Sequence, residues 1–125
     1  MAKTLTIEIK SMDEALEGFR KTFKALEAGR RVARHEGVYF TSIEAARNLL
    51  TRNRLALLRA IRAERPASIY KLAKTVKRDL KNVQQDLRIL EEYGLIRMNS
   101  ARRTGKRRVK APEACFDEIA LKIAI

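Results

Sequence analysis

SIYKLAKTVKRDLKNVQQDLRILEEYGLI, residues 68–96, carries the strongest structural pattern in the chain. Ser68 has the short oxygen-bearing side chain that opens a helix by accepting one of its orphan N–H groups. Ile69, Leu72, Ala73 and Val76 follow at i, i+3, i+4 and i+7, the period of one buried helical face. Val76-Lys77-Arg78-Asp79 is too polar and too short to be more than a turn, and Asp79 stands where it should cap a second helix. Leu80, Val83, Leu87 and Leu90 form that helix's inner face, and Gly94 occupies the position where a left-handed C-terminal residue is favoured.

Upstream, Thr51 opens an earlier helix with Leu57, Leu58 and Ile61 as its stripe, and Pro66 ends it. Downstream, Leu95–Asn99 and Lys106–Ala111 read as two strands around Arg102-Arg103-Thr104-Gly105, a hairpin, after which Pro112 punctuates. Near the N-terminus, Leu5, Ile7 and Ile9 alternate with polar residues as a half-buried strand does. Ser11 and Glu14 have the form of a capping box, and Leu16, Phe19, Phe23 and Leu26 then share one helical face up to Gly29. Gly37–Thr41 reads as a short strand, and Ser42 caps the helix that follows. Phe116, Ile119, Ala120 and Ile123 lie at i, i+3, i+4 and i+7, which predicts a C-terminal helix. The expected class is therefore mainly α with small β (α+β): an N-terminal strand–helix extension over 1–49, a compact domain over 50–111 and a C-terminal helix over 112–125.

Charge narrows the partner. Across 125 residues, 28 Lys and Arg against 15 Asp and Glu leave a net charge of +13. Residues 1–29 are balanced at five and five; residues 30–65 carry nine basic against three acidic side chains, and residues 66–111 thirteen against four. A positive field so concentrated attracts a polyanion, of which nucleic acid is the usual one. In the helix beginning at Leu80, the apolar stripe leaves Lys81, Asn82, Gln85 and Arg88 facing outward, with Gln84 on the flank and Lys77 and Arg78 just ahead. Arg and Lys match guanine in the major groove, and Asn and Gln match adenine. Arg102, Arg103, Lys106, Arg107, Arg108 and Lys110 put six cations into nine residues without a carboxylate, which suits a loop lying along or entering a groove. The N–H groups behind Ser68 suit a phosphate. Two short helices, a tight turn and a basic hairpin, in this order, are how a helix-turn-helix presents a recognition helix with a wing beside it.

At these residues the chain resembles a known group. Ser68-Ile69-Tyr70-Lys71-Leu72-Ala73, Arg78-Asp79-Leu80-Lys81-Asn82-Val83, Asp86-Leu87 and Leu90-Glu91-Glu92-Tyr93-Gly94-Leu95-Ile96 are similar to prokaryotic winged helix-turn-helix regulators of the broad MarR/ArsR type. Thr51-Arg52-Asn53-Arg54-Leu55 resembles that group's first helix. The resemblance covers roughly residues 50–111. It implies sequence-selective binding of double-stranded DNA through Lys81, Asn82, Gln85 and Arg88, with Arg102 to Arg108 as the wing, in a transcriptional regulator whose expected mode is repression. Some proteins of this pattern are antitoxins that bind a small protein toxin and repress their own operon; a nonspecific nucleic-acid-binding module is the third reading. Ser100 stands where these proteins often carry an Asp, and the N-terminus opens with a strand rather than a long helix, so an effector pocket is not carried over.

Other classes find little to work with. One histidine, His35, and one cysteine, Cys115, leave no His/Cys zinc set, and no catalytic residue, cofactor or metal is expected. Ser100-x4-Gly105-Lys106-Arg107 lacks the first Gly and last hydroxyl of a phosphate loop. A single cysteine and the absence of a signal-like or membrane-spanning apolar run fit the cytoplasm. Leu16, Phe19, Phe23 and Leu26, together with Phe116, Ile119 and Ile123, supply more apolar surface than the central domain should cover, and a homodimer is expected from them.

Overall fold

Helix caps set most of the boundaries. A computed structural model describes residues 3–29, 37–104 and 107–125; the side chains of residue 26 and of residues 101–108 also lie outside the described set, as does His35. Among the described residues there are five helices and five strands, an α+β chain. It divides into two compact units, one made by Asn48–Glu118 with Lys3 and Thr4, the other by Leu5–Arg47 with Ile119–Ile125.

The first unit contains α3 (Arg52–Glu64), α4 (Ile69–Val76), α5 (Leu80–Glu92), β3 (Ile96–Thr104) and β4 (Arg107–Ala114). Thr51 and Ser68 cap α3 and α4 as expected, their hydroxyls accepting from the N–H groups of Arg54 and Lys71 at 3.2 and 3.1 Å. Asp79 does not do so for α5: its backbone stands at the N-cap but its carboxylate makes no capping bond. Past the other end of α5, Gly94 takes φ +76, which only glycine adopts at no cost, and Leu95 N–H closes onto Leu90 O at 2.9 Å. Leu57, Ile61, Leu72, Ala73, Val83, Leu87, Leu90, Leu95, Ile96 and Ala111 are buried together as the core. Leu80, expected on the inner face, is 37% exposed, while Val83 one turn on is fully buried.

β3 and β4 pair antiparallel from Ile96↔Ala114 at the base to Thr104↔Arg107, with an irregularity between Asn99 and Arg102. The hairpin is longer than the sequence suggests. β4 runs through Pro112, which faces Met98, up to Ala114. A residue without an N–H fits there because β4 is paired on one side only.

The second unit is built on a three-stranded sheet in the order β2-β1-β5. β1 (Thr4–Ile9) buries Leu5 and Ile7, and α1 (Met12–Glu27) crosses over to β2 (Gly37–Phe40), which lies parallel to β1. A Cβ on Gly37 would stand 3.1 Å from Thr6 O, so close backbone approach favours glycine at the head of β2. Ser11 and Ser42 cap α1 and α2 (Ile43–Leu49) as expected.

The C-terminal helix expected over 112–125 is corrected. Residues 118–123 form strand β5 (Glu118–Ile123) at the edge of β1, so Phe116, Ile119 and Ile123 do not share a helical face. The residues allow either reading, since Ile119, Leu121 and Ile123 also alternate with Ala120 and Lys122, and a run this short carries both periods. The free edge of β1 decides it. Asp117 and Glu118 donate their N–H groups to Lys3 O at 2.8 and 3.3 Å, aligning the last strand with the first.

Candidate nucleic-acid interface

The turn between α4 and α5 is three residues long and held from both sides. Lys77 takes the left-handed conformation, φ +56, with its N–H directed to Ala73 O and Lys74 O, and the N–H of Arg78 reaches Ala73 O at 3.0 Å. The Lys77 side chain is left exposed. Arg78 behaves differently and revises the expectation that it is a contact residue. Its guanidinium turns inward and donates to Asp86 at 2.8 Å, with side-chain exposures of 23 and 15%. Asp86 also accepts from Arg54 Nε at 3.1 Å, and Arg54 donates again to the carbonyls of Asn48 and Leu49. One carboxylate on α5 thus joins the start of α3 and the turn, which orients α5 within the unit.

With Val83, Leu87 and Leu90 buried, the opposite side of α5 is open, and Lys81, Asn82, Gln84, Gln85 and Arg88 are all exposed. Lys81, Gln85 and Arg88 stand at i, i+4 and i+7, a single row along the helix. None of the first turn is acidic and Asp79 makes no capping bond, so the first N–H groups of α5 are not taken up by a capping carboxylate. Glu91 and Glu92 lie at the far end, leaving cations and amides on the first two-thirds of the face.

Ser68 is half-buried and its hydroxyl is committed to the cap, so any phosphate role falls to the first backbone N–H groups of α4. The backbone of Arg102, Arg103, Arg107 and Arg108 lies at the tip of the β3–β4 hairpin, where Arg103 faces Arg108 and Arg102 faces Val109. Their side chains, and all of Lys106, lie outside the described residues. At the hairpin base the carboxylate of Glu113 accepts from Arg97 Nε at 2.9 Å and Asn99 Nδ2 at 2.8 Å. The acid on the hairpin is therefore occupied at the base, away from the cationic tip. Of the residues expected at a dimer interface, Leu16, Phe19, Phe23 and Ile123 are exposed, Phe116 and Ile119 half-buried, and the side chain of Leu26 lies outside the described set.

Arg54 and Asp86 stand among the residues that carry the resemblance, but the sequence does not foretell that they meet, with Arg78, in one ion triad. A signal existed, since Asp86 is the one acid on the first two-thirds of an otherwise cationic and amide-rich helix. Its partners lie 8 and 32 residues away, a pairing that no local period reveals. Among the described residues there is no cluster of three or more His, Cys, Asp or Glu that could hold a metal ion, and no helix long and apolar enough to cross a membrane.

The fold and the candidate site define a small α+β protein whose larger unit sets three helices against a basic hairpin. Residues 49–121 match the model of the HVO_A0114 family, and the chain belongs to that family. The matched segment holds α3, α4, α5, the hairpin and most of β5. Neither the curated proteins nor the solved structures contain a match to it.

Proposed function

We propose that this chain is a winged helix-turn-helix regulator that binds double-stranded DNA selectively in the cytoplasm and represses transcription. In this reading α5 is the recognition helix and β3–β4 the wing. The observation that carries it is the exposed row of Lys81, Gln85 and Arg88, flanked by Asn82 and Gln84, on a helix anchored from behind by Val83, Leu87, Leu90 and Asp86. Long side chains that match base edges are of most use on a helix whose orientation is fixed, because a bidentate contact tolerates little angular error. The net charge of +13 and the resemblance to MarR/ArsR-type regulators support the same reading.

Selection from random duplex DNA, with sequencing of the bound pool, tests it by yielding a discrete motif. Titration of Arg88→Ala against the selected site and a scrambled duplex then separates reading from gripping. Removing a bidentate base contact costs ~1–3 kcal/mol and relaxes preference at one position, so the ratio of the two affinities should shrink about tenfold. Equal weakening on both duplexes would mean that α5 does not read sequence at Arg88.

A further inference from the structure

We infer that α1 is the seam of a homodimer, pairing antiparallel with α1 of a second copy across a two-fold axis near its middle. Met12, Leu16, Phe19 and Phe23 are 60, 48, 68 and 53% exposed. Among the described side chains of this helix, the half-buried ones are instead small, Ala15 and Ala25. An amphipathic helix that belonged only to its own unit would turn its large apolar side chains inward. Here they form an outward ridge on which the rings of Phe19 and Phe23 already stack, 6.4 Å between centroids and 19° between planes.

The spacing of that ridge suits a second helix. Met12, Leu16, Phe19 and Phe23 are separated by four, three and four residues, the a/d alternation of a two-helix seam. Two heptads are too short to hold a free coiled coil, but α1 is already formed within its own unit, so little nucleation cost is left to meet.

Charge identifies the occupant as another copy and sets its direction. Asp13, Glu14 and Glu17 lie in the first half of α1, and Arg20, Lys21 and Lys24 in the second, which Glu27 closes. A parallel pair would put like charges side by side. An antiparallel pair sets the acidic half of each helix against the basic half of the other and opposes the two helix dipoles favourably. The register that buries all four apolar residues puts Met12 against the partner's Phe23 and Leu16 against the partner's Phe19. Asp13 then lies beside the partner's Arg20, and two-fold symmetry repeats every contact.

Sedimentation equilibrium of the full chain at tens of micromolar tests this. The chain is 14.3 kDa, and twice that mass is expected. Phe19→Asp introduces a charge at the seam at a site exposed in the single chain, so helix content should be unchanged while the dissociation constant rises on the order of 100-fold. Asp13→Arg and Arg20→Asp should each weaken the dimer about tenfold, and the two together should restore most of it. Residues 13 and 20 are two turns apart on one helix and do not touch, so restoration reports a contact between copies. A monomeric mass overturns the inference. So does a dimer indifferent to Phe19→Asp, or a double reversal no better than either single one. None of these readouts involves DNA, so they stand apart from the proposed function.

Discussion

Replacing Asp86 by Ala leaves two guanidinium groups, from Arg54 and Arg78, facing each other in a site where the three side chains are 15 to 23% exposed. Two charge-assisted hydrogen bonds disappear, each worth ~1.5–3 kcal/mol in the folded protein. Removing one member of a fully buried ion pair costs ~3–5 kcal/mol, and partial access to water lowers that figure. The expected loss is therefore about 2–4 kcal/mol. For a cooperative unit of about this size, each kcal/mol shifts Tm by ~4–8 °C, so Asp86→Ala should melt roughly 10–25 °C lower. Urea unfolding followed by far-UV circular dichroism measures the change directly, provided that the m-value stays constant. Asp86→Asn keeps an acceptor oxygen and should fall between Ala and wild type. Combining Asp86→Leu with Arg54→Leu and Arg78→Met removes all three charges and should recover much of the loss, because the penalty comes from stranded charge. A destabilisation by Asp86→Ala below about 0.5 kcal/mol would show that the triad does not hold α5 in position.

Three further outcomes follow from the same geometry. Lys77→Gly relieves a left-handed φ of +56 and should raise stability by ~0.4–1 kcal/mol in the same urea assay, while weakening selected and scrambled DNA alike if Lys77 meets phosphate. Arg107→Ala with Arg108→Ala should weaken both duplexes similarly and flatten the dependence of log K on log salt by roughly 0.9 for each phosphate no longer neutralised; an unchanged slope would remove the hairpin from the interface. The carboxyl of Asp117 is held below its ordinary value, first by the Lys3 N–H at 2.8 Å and then by Arg62. A carboxyl lowered on folding contributes stability present above its unfolded value, near 3.8, and lost as pH falls through the lower folded value. Protection of the Lys3 amide, its exchange measured against the intrinsic rate at the same pH, should therefore fall only at strongly acidic pH, and Asp117→Asn should remove that fall.

Local chemistry wrote much of this protein in plain form. Ser11, Ser42, Thr51 and Ser68 are short oxygen-bearing side chains ahead of periodic apolar runs, and each caps the helix that its position implies. Gly29 and Gly94 end helices in the left-handed conformation because only glycine takes it without strain. The exposed face of α5 was legible for the same reason: an apolar stripe at helical period leaves a known complement facing outward. Packing settled the places where local rules permit two answers. Ile119–Ile123 suits helix or strand, and the free edge of β1 drew it into the sheet. Asp79 has the right side chain for a cap and does not make the bond. Arg78 is chemically identical to Arg88, which stays outside, yet it points inward, because Asp86 is brought within 2.8 Å of it when α5 packs on the turn. Periodicity along a chain specifies which face of an element is buried. Which charged side chains meet is set by distances that exist only after the elements have packed.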